Sequence, residues 1–196
     1  MIEICRGVWS GKRFNYDGVR FTIRNLKIGY EFRKNIPIFL GVNGPKMLKF
    51  AGTYADGVCL AFNPLEYIPK AWESIKEGLA KSGRKTSDFR LYHNPLIAIA
   101  KDKDEAKKAA EKIFFMPLFL AYSCEPLRES IGLTMGDILP AVRTLMKELV
   151  KLEGELELIT QKDFTKYAKR EVVDTLLDKL TIYGTVEDVI EGLKTY

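Results

Sequence analysis

The amino-acid sequence predicts an α/β fold in which parallel strands alternate with helices before a long helical region begins. Residues 36–42 and 58–62 are short apolar runs, typical of strands buried on both faces of a parallel sheet. Residues 45–55 lie between them with apolar side chains at helical spacing, so the three segments form a βαβ unit whose crossover is expected to be right-handed. From residue 102 to residue 180 the pattern is almost entirely helical.

Composition excludes several classes of protein. With 196 residues, of which 46% are hydrophobic and 29% charged, the chain has the length and composition of one globular domain. The formal net charge of +5 comes from lysines scattered among glutamates, so we expect no nucleic-acid binding. The longest apolar run, residues 113–122, is too short to cross a bilayer, and we expect no membrane association.

The three cysteines indicate a reducing compartment. Cys5, Cys59 and Cys124 are odd in number and show no metal-ligand spacing, and no signal peptide is visible. We therefore expect free thiols in a cytoplasmic protein without a bound metal.

The segment before the first parallel strand contains a helix end and a hairpin. Residues 1–9 have the pattern of the last turns of an amphipathic helix, which Gly11 ends. Asp17 and Gly18 stand between two segments of alternating polarity, which is a strong β-hairpin signal. Residues 26–35 then connect the hairpin to the parallel strand.

The helix of the βαβ unit has signals at both ends. Pro45 suits the first helical position, where its missing N–H costs nothing. Gly57 occupies the place of a C-terminal cap. One face of the helix is apolar and consists of Met47, Leu48, Ala51 and Ala55.

A further helix and extended segment follow. Residues 67–80 predict a helix capped by Gly83, with an apolar face. That face consists of Ala71, Trp72, Ile75 and Leu79. Residues 89–100 are extended and divided by Pro95. His93, the single histidine, falls towards the amino end of this segment, away from the end at which barrels bind ligands, so we expect a structural or surface role.

The helical region is expected to divide at its prolines and to pack through an apolar patch. Pro117, Pro126 and Pro140 are expected to break it into segments. The patch is expected to pack against other helices or a partner chain, and a substrate-facing role is the alternative. It consists of Phe114, Phe115, Leu118 and Phe119.

Capping signals bound this region. Asp102 with Glu105 three residues later begins it. Gly184 is expected to end its last long helix, and Thr185 with Asp188 starts a final helix.

The turn after residues 36–42 is the point of chemical interest. In parallel α/β folds, ligands bind at the carboxyl ends of the strands. Here that end is Val42-Asn43-Gly44, and the N–H groups of Gly44, Lys46 and Met47 would point out of a helix N-terminus, which favours an anion such as a phosphate. An ordinary βα connection without a ligand is the alternative interpretation.

A catalytic constellation is not visible in the sequence. It contains no nucleophile with a matching base and no Walker or dinucleotide fingerprint. Asp56 and Glu66 lie near strands, but nothing pairs them, and Asp56 is expected to be structural. The catalytic residues are therefore not assigned.

The motif around the turn resembles the luciferase-like monooxygenase superfamily, and within it the coenzyme F420-dependent methylenetetrahydromethanopterin reductases. The central match is Gly-Val-Asn-Gly-Pro-Lys-Met-Leu at residues 41–48. The resemblance is good over residues 1–110 and 183–193 and weak between them. Other matching positions are Ala51-Gly52, residues 55–58, Asn63-Pro64 with Tyr67, the helix end at residues 81–84 and the passage over residues 98–106.

The resemblance implies a (β/α)8 TIM barrel of which this chain is a part. Residues 36–42 would be about the fifth strand, 58–62 the sixth and 96–100 the seventh, with a large helical C-terminal region. We expect a single domain over residues 1–196, divided into 1–35, 36–101 and 102–196. By this resemblance we expect the N-terminal half of such a barrel to lie outside these residues, and the eighth strand to begin after residue 196.

The resemblance also implies a cofactor site and a reaction. Asn43 and Gly44 would hold the phosphate of coenzyme F420, with FMN as the alternative cofactor. Val42 and Lys46 belong to the same turn. Ala61 and Phe62, at the end of the next strand, would line the pocket. The reaction implied is hydride transfer between the cofactor and a pterin-type or other small acceptor.

A partial barrel leaves strand edges and apolar faces uncovered. We therefore expect a homo-oligomer, a complex with a separately encoded N-terminal half, or a poorly stable remnant. The alternative function is a non-catalytic half-barrel that assembles with a partner chain.

Overall fold

Parallel strands form the centre of the protein. The computed structural model describes residues 1–30, 32, 36–152, 156–159 and 161–195. Within these residues, one sheet has three parallel strands in the order β3 (Phe39–Gly41), β4 (Gly57–Ala61) and β5 (Arg90–Asn94). A second sheet pairs β6 (Leu96–Ile99) with β7 (Thr181–Gly184), also in parallel. The α/β class is confirmed.

The N-terminal segment forms a helix and a hairpin, as predicted. Helix α1 (Ile2–Trp9) is followed by strands β1 (Phe14–Asp17) and β2 (Thr22–Leu26), which pair in antiparallel fashion. The expected connector over residues 26–35 lies partly outside the described residues, at positions 31 and 33–35.

The βαβ unit is present, with shorter strands than predicted. Strand β3 covers Phe39–Gly41 only, and helix α2 (Pro45–Tyr54) begins at the predicted proline. Leu48, Ala51 and Ala55 are buried, but Met47 is 47% exposed because it lies in the first turn, at the open end of the helix.

Gly57 is not a helix cap, and that prediction is wrong. It is the first residue of β4 and pairs with Phe39 on one side and Arg90 on the other. A Cβ at this position would lie 2.1 Å from the Phe39 ring and 2.4 Å from the Arg90 carbonyl oxygen. Close packing between strands, rather than helix termination, requires glycine here.

Helix α3 (Ile68–Lys81) follows a 3₁₀ turn at Leu65–Tyr67 and ends as predicted. Gly83 has a φ of +67°, and the N–H of Arg84 reaches back to the carbonyl of Leu79 at 3.0 Å. Pro95 separates β5 from β6, and the two strands belong to different sheets.

Helices make up most of the remaining described chain. Their bounds are α4 (Lys103–Lys112), α5 (Phe115–Ser123), α6 (Glu125–Ser130), α7 (Met135–Lys151), α8 (Leu156–Ile159), α9 (Arg170–Leu180) and α10 (Val186–Leu193), with a 3₁₀ turn at Thr165–Tyr167. None of the helices in the described part of the chain combines the length and apolarity of a membrane span.

The prolines divide this region only in part. Pro117 and Pro126 lie in the first turns of α5 and α6, where a proline costs no helical hydrogen bond. Pro140 lies inside α7, so the predicted break there is wrong. Because Pro140 has no N–H, the carbonyl of Gly136, near the helix start, lacks its helical hydrogen bond. The apolar face of α7 continues on both sides of the proline.

The predicted apolar patch packs mainly into the core. Phe114, Phe115 and Leu118 are buried, whereas Phe119 is 48% exposed. The patch joins one continuous cluster that also contains Val58 and Leu60 of β4. Helical packing is therefore the role of three of its four residues.

Residues 181–184 form a strand, which the sequence did not predict: the helix ends at Leu180 as expected, but Gly184 is the last residue of this strand and not part of the helix end. Helix α9 ends at Leu180, and β7 pairs with β6 in the register Leu96↔Thr181 to Ile99↔Gly184. Residues 181–184 are extended because they are buried next to β6, and not because of a local periodicity in their sequence. Helix α10 then begins with the predicted capping box of Thr185 and Asp188.

Candidate functional site

The carboxyl ends of β3 and β4 lie side by side and bring the two predicted groups of site residues together. The parallel register places Gly41 beside Cys59, so the turns that follow the two strands emerge at the same edge. The side chain of Asn63 crosses between them and donates a hydrogen bond to Oδ1 of Asn43 at 2.7 Å. This edge of the sheet is the candidate site.

Asn63 is fully buried and determines the orientation of the Asn43 amide. Its Nδ2 donates to Asn43 Oδ1 at 2.7 Å and to the carbonyl oxygen of Ala61 at 2.8 Å. Because the oxygen of Asn43 accepts from Asn63, the NH₂ group of Asn43 points away from this contact. The described residues provide no acceptor for that NH₂ group.

The main chain at Asn43 is held from two other elements. The buried hydroxyl of Tyr67 donates to the Asn43 carbonyl oxygen at 2.6 Å. The Sγ of Cys124, between α5 and α6, lies 3.6 Å from the same oxygen. Burial, followed by the contact with Cys124, raises the pKa of Tyr67 far above its usual value, so the phenol stays protonated and remains a donor.

The turn after β4 has a strained conformation. Phe62 has a φ of +57°, which is uncommon for a residue other than glycine, and its N–H donates to the carbonyl of Asn94 at 3.0 Å. The side chains of Phe62 and Val42 are half-buried and pack against the hydrophobic core. Ala61 is also half-buried and supplies the carbonyl that Asn63 binds.

His93 lies at this site, which corrects its predicted position. It is the fourth of the five residues of β5, pairs with Leu60, and therefore sits at the carboxyl end of the sheet. Its Nε2 lies 3.0 Å from the carbonyl oxygen and 3.3 Å from the nitrogen of Asn63. The prediction failed because the break at Pro95 ends the strand at Asn94, one residue after His93. Burial lowers the pKa of His93, which favours the neutral imidazole.

The N-terminus of α2 opens onto the same edge. Gly44 is the N-cap and has no capping side chain, and Pro45 follows it. Among the described residues there is no acceptor for the N–H groups of Gly44, Lys46 or Met47. The side chain of Lys46 is exposed. Unpaired donors and the helix dipole at one point favour an anionic group.

Glycine at position 44 is not required by the fold. Its φ of −76° is available to any residue, and a Cβ there would meet no heavy atom within 4 Å. The space in front of the turn is therefore open. A donor-rich turn with open space beside it is suited to an anionic group.

The other candidates have structural roles. Asp56 lies at the opposite edge of the sheet, where it accepts the N–H of Ile38 at 2.8 Å and pairs with Arg6 at 3.0 Å, as predicted for a structural residue. Glu66 forms an ion pair with Lys179. Cys5, Cys59 and Cys124 are free thiols.

Asn63, Tyr67, Cys124 and His93 received no site role from the sequence. Asn63 directly follows a predicted buried strand and precedes a proline, and this was the one local signal that marked a turn at the ligand-binding end. The contact between Cys124 and Asn43 joins positions 81 residues apart, which no spacing rule predicts.

Comparison with known proteins gives consistent matches. The profile of the luciferase-like monooxygenase family matches residues 1–196. The chain is 33% identical over 192 residues to 5,10-methylenetetrahydromethanopterin reductase of Archaeoglobus fulgidus, covering 98% of this chain and 54% of that protein. It is 27% identical over 121 residues to an F420-dependent glucose-6-phosphate dehydrogenase of Microbacterium testaceum, covering 61% of this chain and 35% of the relative.

A solved structure agrees with the fold. The coenzyme F420-dependent tetrahydromethanopterin reductase of Methanopyrus kandleri superposes with a TM-score of 0.70 at 21% identity, covering 98% of this chain and 51% of that one. The chain thus spans about half the length of the reductases that it matches.

Proposed function

The chain belongs to the luciferase-like monooxygenase family, and we propose that it binds the phosphate of coenzyme F420 at the turn between β3 and α2. FMN, which also carries a phosphate, is the alternative cofactor. The proposed reaction is hydride transfer between the bound cofactor and a pterin-type or other small acceptor. The similarity to F420-dependent reductases and dehydrogenases supports this choice of cofactor.

One observation carries the proposal: several donors without an acceptor belong to one turn, beside a glycine that the fold does not need. The main-chain N–H groups of Lys46 and Met47 and the NH₂ group of Asn43 have no acceptor among the described residues. Gly44 leaves open space beside them. Hydrogen bonds to a charged acceptor contribute about 1.5–3 kcal/mol each, so several donors are enough to hold one phosphate.

In this proposal the cofactor supplies the hydride chemistry, and this chain's residues bind and orient it. The turn provides the donors, Lys46 adds a positive charge, and Tyr67 and Asn63 hold the loop in place. The absence of an acid–base pair among the predicted site residues agrees with that division.

We further propose that these residues form a single domain, the C-terminal part of a TIM barrel whose remaining strands come from outside the 196 residues. Strands β5 and β6 carry apolar side chains that are well exposed: Tyr92 at 49%, Ile97 at 41% and Ile99 at 54%. The outer edges of β3 and β7 have no partner strand among the described residues. A second copy or a separate N-terminal half would cover both features.

A non-catalytic half-barrel that assembles with a partner is the second candidate, and the same exposed apolar side chains favour it. Light scattering after size-exclusion chromatography, together with binding of a hydrophobic dye, tests the assembly. We expect an oligomer, or a monomer that binds the dye strongly. A monomer that binds no dye would contradict the proposed half-barrel.

Cofactor binding is tested by fluorescence titration of the purified chain with coenzyme F420 and, separately, with FMN. We expect Gly44→Ala to weaken binding about 10-fold or more, because a methyl group enters the space that the phosphate needs and each tenfold loss corresponds to about 1.4 kcal/mol. Gly44→Asp is expected to abolish binding by charge repulsion. The free energy of unfolding of Gly44→Ala should fall by only about 1 kcal/mol, the usual cost of alanine at an N-cap, so the variant is expected to stay folded.

Gly136→Ala is the matched control. Gly136 is also near a helix N-terminus, in α7, and a Cβ there would meet only Thr134 Oγ1, at 3.6 Å. Its affinity for either cofactor should equal that of the wild type. A folded wild-type chain that binds neither F420 nor FMN would refute the proposed function.

A further inference from the structure

The amide of Asn63 lies between a main-chain carbonyl and the proposed cofactor loop. Its Nδ2 donates to the carbonyl oxygen of Ala61 at 2.8 Å and to Oδ1 of Asn43 at 2.7 Å. A carbonyl oxygen only accepts hydrogen bonds, so Ala61 requires that the NH₂ group of Asn63 faces it. Because this NH₂ group also contacts the Asn43 side chain, the atom of Asn43 that faces it must be the oxygen, which can accept its hydrogen bond. The direction of each amide is therefore determined by the main chain of β4.

The surroundings of Asn63 hold it in this position. Phe62 adopts its left-handed conformation directly before it, and Nε2 of His93 contacts its main-chain oxygen at 3.0 Å. Asn63 itself is 0% exposed. A side chain so enclosed cannot exchange its donor and acceptor ends without losing both hydrogen bonds.

If Asn63 only filled space in the core, its amide would be energetically unfavourable. Its Oδ1 is buried and has no hydrogen-bond partner among the described residues. An unsatisfied buried polar atom costs about 1–3 kcal/mol, which an apolar side chain of similar size avoids. The retained amide points to a role beyond filling the core.

We propose that Asn63 is a positioning residue for cofactor binding: it turns the Asn43 amide so that NH₂, rather than oxygen, is presented to the cofactor phosphate. This inference rests on the proposed function. A donor at that point attracts a phosphate, whereas a carbonyl oxygen in the same place repels it. Asn63 does not touch the cofactor and acts only through Asn43.

A double-mutant cycle tests the inference. Binding of coenzyme F420 is measured by fluorescence for the full chain and for Asn43→Ala, Asn63→Ala and the double variant. We expect each single substitution to weaken binding about 10-fold, and the double variant to be no weaker than Asn43→Ala, because Asn63 has nothing left to orient. Losses that multiply to about 100-fold would overturn the inference, since they would mean that Asn63 acts independently of Asn43.

A hairpin asparagine provides the control for loss of a side-chain hydrogen bond. Asn15 Oδ1 accepts the N–H of Asn25 at 2.8 Å, remote from the sheet edge. Asn15→Ala should bind F420 with wild-type affinity. Unchanged affinity of Asn63→Ala would also overturn the inference while leaving the proposed function intact. Failure of the folded wild type to bind either F420 or FMN would refute both the inference and the proposed function.

A measurement on the wild-type chain covers the case in which Asn63→Ala does not fold. Side-chain amide signals are followed by ¹H–¹⁵N NMR during addition of F420. We expect the Asn43 NH₂ signals to shift, and the Asn63 NH₂ signals to stay in place and exchange slowly with solvent. Movement of the Asn63 signals without those of Asn43 would contradict the assigned roles.

Discussion

Tyr67→Phe tests how the cofactor loop is held. The substitution removes one oxygen atom from a side chain that is 1% exposed and leaves the ring in place. That oxygen donates a 2.6 Å hydrogen bond to the carbonyl of Asn43. The change therefore removes one contact between the start of α3 and the turn after β3.

The expected loss follows from the partners that remain. A buried hydrogen bond contributes about 1 kcal/mol net, and an orphaned buried acceptor costs about 1–3 kcal/mol. The Sγ of Cys124, at 3.6 Å, still faces the Asn43 oxygen but is a weak donor. We expect the free energy of unfolding to fall by about 1–2 kcal/mol, which for a chain of this size lowers the melting temperature by about 2–8 °C.

Urea and thermal unfolding measure this loss, with Tyr54→Phe as the control. Tyr54 ends α2 and is 43% exposed, and none of the described residues binds its hydroxyl. Its removal should change stability by less than about 0.5 kcal/mol. The slope of the urea transition should be the same in all three proteins. Equal stability of Tyr67→Phe and the wild type would refute the anchoring role of this hydroxyl.

Two further predictions concern the sheet. Gly57→Ala should prevent folding or destabilise the chain by more than about 2 kcal/mol, because the added Cβ would lie 2.4 Å from the Arg90 carbonyl oxygen. Unfolding followed by circular dichroism measures this loss. A variant as stable as the wild type would contradict the packing described. His93 is the single histidine, and its pKa is lowered by burial. The neutral His93 therefore stabilises the folded state fully at pH values above the ordinary imidazole pKa of about 6.5. This stabilisation is lost as the pH falls from there through the lowered pKa, because protonation then favours the unfolded state. The free energy of unfolding should fall over that window in the wild type and be flatter in His93→Gln; equal slopes would refute the assignment.

Much of the candidate site could be predicted from local sequence. The apolar run before Val42, the break at Asn43-Gly44 and the proline that follows indicate a strand, a turn and a helix N-terminus without reference to the rest of the chain. The rule that parallel strands present ligands at their carboxyl ends then placed Ala61 and Phe62 near the same turn. These predictions depend only on short-range spacing.

The contacts that hold the turn depend on long-range packing. Asn43 meets Asn63, Tyr67 and Cys124, which are 20, 24 and 81 residues away. His93 reaches the site because Pro95 ends its strand. Hydrogen-bond partners at such separations are chosen by the packing of helices against the sheet, which no periodicity encodes.

Periodicity, capping residues and glycine–proline signals thus determined by themselves the α/β class, the start of α2, the end of α3 and the capping box of α10. The tertiary structure alone decided that Thr181–Gly184 is a strand and that Gly57 belongs to the sheet. The physical reason is that a four-residue strand has too few residues for a pattern of its own. Its conformation is decided by the hydrogen bonds and burial that β6 offers, 85 residues earlier in the chain.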